Sequence, residues 1–122
     1  MQEATPESVL GDFDGSTFTY HGAVTTFSRD IDGFWITTEG PNGLPERFPV
    51  RYVFGVYPLQ QYLLPLEGGR LQALTIAWDS RREEDGGQRW YHLYPDENIK
   101  SGDQLHWTGP YHNWNARCAE CH

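Results

Sequence analysis

Thr17-Phe18-Thr19-Tyr20-His21-Gly22-Ala23-Val24-Thr25-Thr26-Phe27-Ser28-Arg29-Asp30-Ile31-Asp32-Gly33-Phe34-Trp35-Ile36-Thr37-Thr38 is dense in β-branched and aromatic residues and is cut twice by turn residues. Thr17 to His21 alternates, with Phe18 and Tyr20 on one face; Gly22 breaks the run and Val24 to Ser28 resumes it. Asp30-Ile31-Asp32-Gly33 is a turn, Phe34 to Thr38 is the next strand, and Gly40-Pro41-Asn42-Gly43 closes it. Strands joined by such tight turns predict a β-meander, so the expected fold class is all-β.

Downstream, Arg47 to Phe54 alternates so that Phe48, Val50, Tyr52 and Phe54 share one face of a single predicted strand, ended by Gly55. After Pro58-Leu59-Gln60-Gln61, Tyr62 to Leu66 is a strand whose Pro65 fits only an edge or a bulge. Glu67-Gly68-Gly69-Arg70 is a hairpin turn into Leu71 to Trp78, which is apolar on both faces and is expected at a central position. Asp79 to Gln88 is a charged loop, flexible by composition. Arg89 to Tyr94 puts Trp90, His92 and Tyr94 on one face if extended, and Asp96 to Gln104 is a polar connection. Past the Gly109-Pro110 turn, Asn113 to His122 is short enough for one or two helical turns. Upstream, residues 1–16 are acidic and rich in Gly and Asp, an expected exposed lead-in. Residues 17–122 then form one β-rich domain: short antiparallel strands in a meander, sandwich or barrel, with a short C-terminal helical turn. The sequence has no internal repeat.

The chemistry lies in Cys118-Ala119-Glu120-Cys121-His122. Two cysteines three positions apart followed by a histidine are the attachment signature of a c-type haem. One short helical turn presents both sulfurs along one porphyrin edge for thioether bonds, and His122 is then placed to ligate the iron from the proximal side. A CxxC pair also serves as a redox disulfide, but that site follows a strand in a βαβ pattern, which this chain lacks. It also serves as half of a zinc site, but the chain has only 2 Cys, so a second thiolate pair is missing. The distal ligand is to be sought among His21, His92, His106 and His112, with His106 and His92 first because aromatic residues surround them. Trp107 and Trp114 are candidates to flank the porphyrin, and Arg89, Arg81 or Arg117 to neutralise its propionates. Asp12, Asp14, Asp30 and Asp32 match no EF-hand loop and read as a solvated acidic surface. There is no GxSxG, P-loop or HExxH motif.

The formal net charge is -8, and Lys100 is the only lysine. No basic stripe is present to replace the counterions of a nucleic acid, so the surface suits a cationic or neutral redox partner instead. Mean hydropathy is -0.66 and no long apolar run marks a membrane span. Cysteine-linked haem implies export in bacteria, to the periplasm or the cell exterior. Because Met1 to Ser8 has no secretory pattern, the chain is expected to be a mature fragment or a segment of a longer protein.

Several longer words are shared with one family. Asp32-Gly33-Phe34-Trp35, Phe54-Gly55-Val56-Tyr57-Pro58-Leu59-Gln60-Gln61-Tyr62-Leu63, Gly69-Arg70-Leu71-Gln72-Ala73-Leu74 and Ala77-Trp78-Asp79-Ser80-Arg81 are four of them. Gly86-Gly87-Gln88-Arg89-Trp90, His92-Leu93-Tyr94-Pro95 and Leu105-His106-Trp107-Thr108-Gly109 before Asn113-Trp114-Asn115 continue the series. Together with the haem motif, the chain resembles the large bacterial multihaem cytochromes c that carry tetratricopeptide repeats. The resemblance implies a β-rich insert that delivers one haem to a longer electron-transfer array. Its expected partners are other c-type haem domains or identical subunits, including a homopolymer, and redox proteins. Two alternatives stand beside the electron carrier. One is a haem enzyme with an open iron face, and the other a β-rich assembly module in which haem is structural.

Overall fold

The structure, a computed structural model, describes residues 1–103, 105–109 and 112. Among them the strands are β1 (Gln2–Glu3), β2 (Thr17–Tyr20), β3 (Ala23–Asp30), β4 (Gly33–Glu39), β5 (Pro45–Pro49), β6 (Tyr52–Phe54), β7 (Leu59–Leu66), β8 (Arg70–Ala73), β9 (Ile76–Asp79) and β10 (Arg89–His92). They form two antiparallel sheets, so the all-β expectation holds. The helical turn expected around the cysteines lies outside the described residues.

The meander is present in the order β2-β3-β4-β5. Tyr20 pairs with Ala23, leaving His21 and Gly22 as a two-residue loop at φ 47° and 88°. Positive φ at both central residues is the type I′ geometry that matches strand twist. Alternation turns Thr25, Phe27, Phe34, Ile36, Thr38 and Phe48 inward, where all are buried. The second sheet runs β1-β6-β7-β9-β10, with β8 also on β7. It contributes Val53, Tyr62, Leu64, Ile76, Trp78 and Trp90 to the same core.

Two predicted strands are divided. Arg47 to Phe54 changes sheet in its middle: Val50 N–H donates to Phe34 O in the first sheet, while Arg51 N–H donates to Leu63 O in the second. Alternation consequently shifts phase, with Phe48, Val50 and Val53 buried but Tyr52 and Phe54 only half-buried. Periodicity reports a face, not the sheet that the face belongs to. Leu71 to Trp78 likewise splits at Leu74-Thr75. Leu74 N–H still reaches Tyr62 O, but Thr75 O turns to Leu93 N–H. The β9 half is central and wholly buried as expected; the β8 half pairs with β7. Pro65 occupies an edge position. Leu63 O faces β6, so two residues on, the nitrogen of Pro65 faces the same side, beyond the last β6 pair.

The lead-in corrects the expectation for residues 1–16. Most of its side chains face solvent, but β1 pairs with β6, and Leu10 and Gly11 N–H donate to Gln60 Oε1 and Tyr62 OH. Phe13, 2% exposed, enters the centre of the core. The Asp79 to Gln88 loop is also pinned: Arg81 forks onto Asp79, Glu83–Asp85 forms a 3-10 turn, and Gln88 N–H returns to Asp79 O. Gly11 packs so closely that a Cβ there would lie 2.5 Å from Trp90 Cη2 and 2.6 Å from Tyr62 OH. Gly11→Ala is therefore expected to cost about 1–3 kcal/mol through overpacking, read from the urea midpoint. An unchanged midpoint would contradict this docking of the lead-in.

Candidate functional site

The chain leading towards Cys118 is tied across β2, β4 and β8 by three side chains. The Tyr20 hydroxyl lies against the carbonyls of Tyr94 (2.9 Å) and Glu97 and accepts Ile99 N–H (3.1 Å). Glu39 accepts Ser101 N–H through Oε1 (2.8 Å) and the Trp107 indole N–H through its backbone carbonyl (2.7 Å). Gln72 is completely buried, and its Nε2 donates to the carbonyls of Trp107 (2.7 Å) and Gly109 (2.9 Å). Its Oε1 has no partner among the described residues. Burying an amide is costly unless it is bonded, so these links hold residues 94–103 and 105–109 against the sheets.

His92 and His106, the two histidines ranked first from sequence, line one cleft with Tyr20, Glu39, Thr75 and Trp107. Its volume is about 40 Å³. That is room for water but not for a porphyrin. His92 Nδ1 accepts Tyr94 N–H (2.9 Å), which leaves the proton on Nε2, 3.2 Å from Thr75 Oγ1. Its ring stacks on Tyr20 at 3.5 Å and 3°. His106 Nδ1 lies 2.7 Å from Thr108 Oγ1, and Nε2 lies 3.4 Å from Glu39 Oε1. Both nitrogens of both rings therefore have partners, and iron ligation by either ring would have to displace one.

Burial, followed by the neighbouring His21, His112 and His106, lowers the His92 pKa from 6.5 to about 4. Burial also lowers that of His106, against the opposing carboxylates of Glu39 and Asp103. The unfolded chain thus binds protons at a pH where the folded chain does not, and stability falls with falling pH. For His92 the contribution is complete above pH 6.5 and disappears towards pH 4. Urea midpoints should drop between pH 7 and 5, with a smaller drop in His92→Gln; equal drops would contradict this assignment.

The remaining candidates are dispersed. Trp107 is a core residue, 2% exposed and edge-on to Phe48 at 4.9 Å. Arg89 is exposed at the opposite end of β10 from His92, donating to Gly86 O. It lines a separate groove of about 340 Å³ with Arg81 and Tyr91. The guanidinium of Arg81 is engaged by Asp79, whose carboxyl it holds below the usual range. His112 lies beside Tyr94, Nε2 to OH 3.4 Å. Cys118, Cys121, His122, Trp114 and Arg117 lie outside the described residues. Asp14 pairs with Arg29, and Asp30 with Trp35 and Arg47. Among the described residues no group of three or more His, Cys, Asp or Glu is placed to hold a metal. No described helix is long and apolar enough to cross a membrane.

Tyr20, Glu39 and Gln72 were not singled out from sequence for this role. Gln72 carries the one readable signal, a long polar side chain inside the apolar run Leu71 to Trp78. The chain matches no protein-family model, no curated protein and no solved structure.

Proposed function

We propose that this chain is an electron-transfer unit carrying one covalent c-type haem on Cys118 and Cys121, with His122 as the proximal ligand. The observation that carries the reading is the Cys118-Ala119-Glu120-Cys121-His122 sequence itself, whose donor set fits that group. Haem bound there supplies a one-electron ferric–ferrous couple. The chain's own part is positional. Tyr20, Glu39 and Gln72 hold the approach to the motif, and five residues lie between His112 and Cys118. At no more than about 3.6 Å per residue over six steps, the Cys118 Cα stays within about 22 Å of the His112 Cα. The net charge of -8 favours cationic or neutral redox partners, and exchange with haems on neighbouring domains or identical subunits follows from the need for close approach. Export to the periplasm or cell exterior belongs to the same reading. The test is expression in a bacterium with c-type attachment machinery, followed by a denaturing gel stained for haem peroxidase activity. Stain at the chain's mass supports the proposal, and an unstained band overturns it.

A further inference from the structure

Arg29, Arg47, Arg81 and Arg82 each pair with an aspartate or a glutamate. Arg89 does not. Its Nε donates to Gly86 O (2.9 Å), and its two Nη nitrogens have no hydrogen-bond partner among the described residues. Across the sheet Arg89 stands directly opposite Asp79, which is buried and already forked by Arg81, Nη2 to Oδ2 2.7 Å. Opposed residues of antiparallel strands lie about 4.5–5.5 Å apart at Cβ, so one carboxylate sits between two guanidiniums and one positive charge is left over. On a chain of net charge -8 that local surplus marks a place for an anion.

The surroundings indicate which anion. Both arginines line the groove of about 340 Å³, whose other walls are Pro58, Leu59 and Tyr91. That volume is of ligand-pocket size, unlike the cleft of His92 and His106. The Tyr91 hydroxyl has no hydrogen bond among the described residues, so it is a further donor beside Arg89. The walls are fixed before any ligand arrives. Ser80 N–H donates to Pro58 O (2.9 Å), Gln88 N–H to Asp79 O (2.7 Å), and Gln88 Nε2 to Ser80 O and Arg81 O. The loop between them is packed so tightly that a Cβ at Gly87 would lie 2.1 Å from Arg81 O. Donors held in place lower the ordering cost of binding. A planar guanidinium fork matches a carboxylate, one surplus charge matches a monoanion, and Pro58 and Leu59 offer apolar surface to a carbon body.

We infer that this groove binds a small organic monocarboxylate, with the carboxylate on Arg89 and the Tyr91 hydroxyl and the carbon body against Pro58 and Leu59. The inference stands apart from the haem reading. Arg81 is unsuited to the test, because its removal would strand the buried Asp79 carboxylate, whereas Arg89 is exposed and can be changed without threatening the fold. Amide NMR of the full chain, titrated with benzoate at low ionic strength, should show saturable shifts centred on residues 79–91. Arg89→Gln should weaken benzoate binding about tenfold or more, the loss expected for a charge-assisted pair. Arg51→Gln removes an equal charge from an exposed position off the groove and should leave binding within about twofold. Inorganic phosphate, which has no carbon body, should bind more weakly than benzoate. Absence of saturable shifts would overturn the inference, since no site would exist. Equal weakening in the two variants would overturn it by reducing the binding to overall charge, and phosphate binding as tight as benzoate would overturn the assignment to an organic carboxylate.

Discussion

Phe13→Ala is expected to destabilise the domain by about 3–5 kcal/mol, the range for truncating a large buried aromatic side chain. The ring sits edge-on to four others: Phe27 (5.6 Å) and Phe34 (5.3 Å) from the first sheet, and Tyr62 (5.3 Å) and Trp90 (5.6 Å) from the second. Its removal leaves a void between the sheets that rigid neighbours cannot close. Around it Phe27 and Trp90 are stacked at 3.7 Å, and Trp78 abuts Trp90 at 4.9 Å. A loss of this size is a large part of the about 5–15 kcal/mol typical of a whole domain. Urea unfolding followed by tryptophan fluorescence would read it. A loss below about 1 kcal/mol would mean that the first sixteen residues are not docked as described, since fully burying a Phe side chain is alone worth more than that.

The largest functional effect is expected from replacing both cysteines. Cys118→Ser with Cys121→Ser removes both sulfurs able to form thioethers, so covalent haem should be lost completely, while each single variant keeps one attachment point and a weaker stain. The β-sheet circular dichroism should persist, because every described strand ends by His92. Retention of stain in the double variant would refute attachment at these residues.

The meander was legible because Gly22 and the Asp30–Gly33 turn divide strands whose alternation matches burial. The passage of residues 50–51 from one sheet to the other was not, because alternation continues through it and only tertiary pairing reveals the change. Phe13 was hidden by its acidic, glycine-rich neighbours, whose composition is that of a surface segment. At the site, the aromatic setting of His92 and His106 was readable from sequence, and the structure places both on one cleft. The partners that occupy their nitrogens were not, since Thr75 and Glu39 reach them from 17 and 67 positions away. Tyr20 and Gln72 act through contacts 74 and 35 positions distant in sequence, separations that local pattern does not encode.

The most direct measurement is a visible absorption spectrum of the purified, haem-loaded chain, oxidised and then reduced with dithionite. A covalent six-coordinate electron carrier predicts sharp low-spin bands on reduction and full reversal on reoxidation. A broad high-spin spectrum that shifts with carbon monoxide would contradict it and assign the chain to ligand-binding or catalytic haem chemistry.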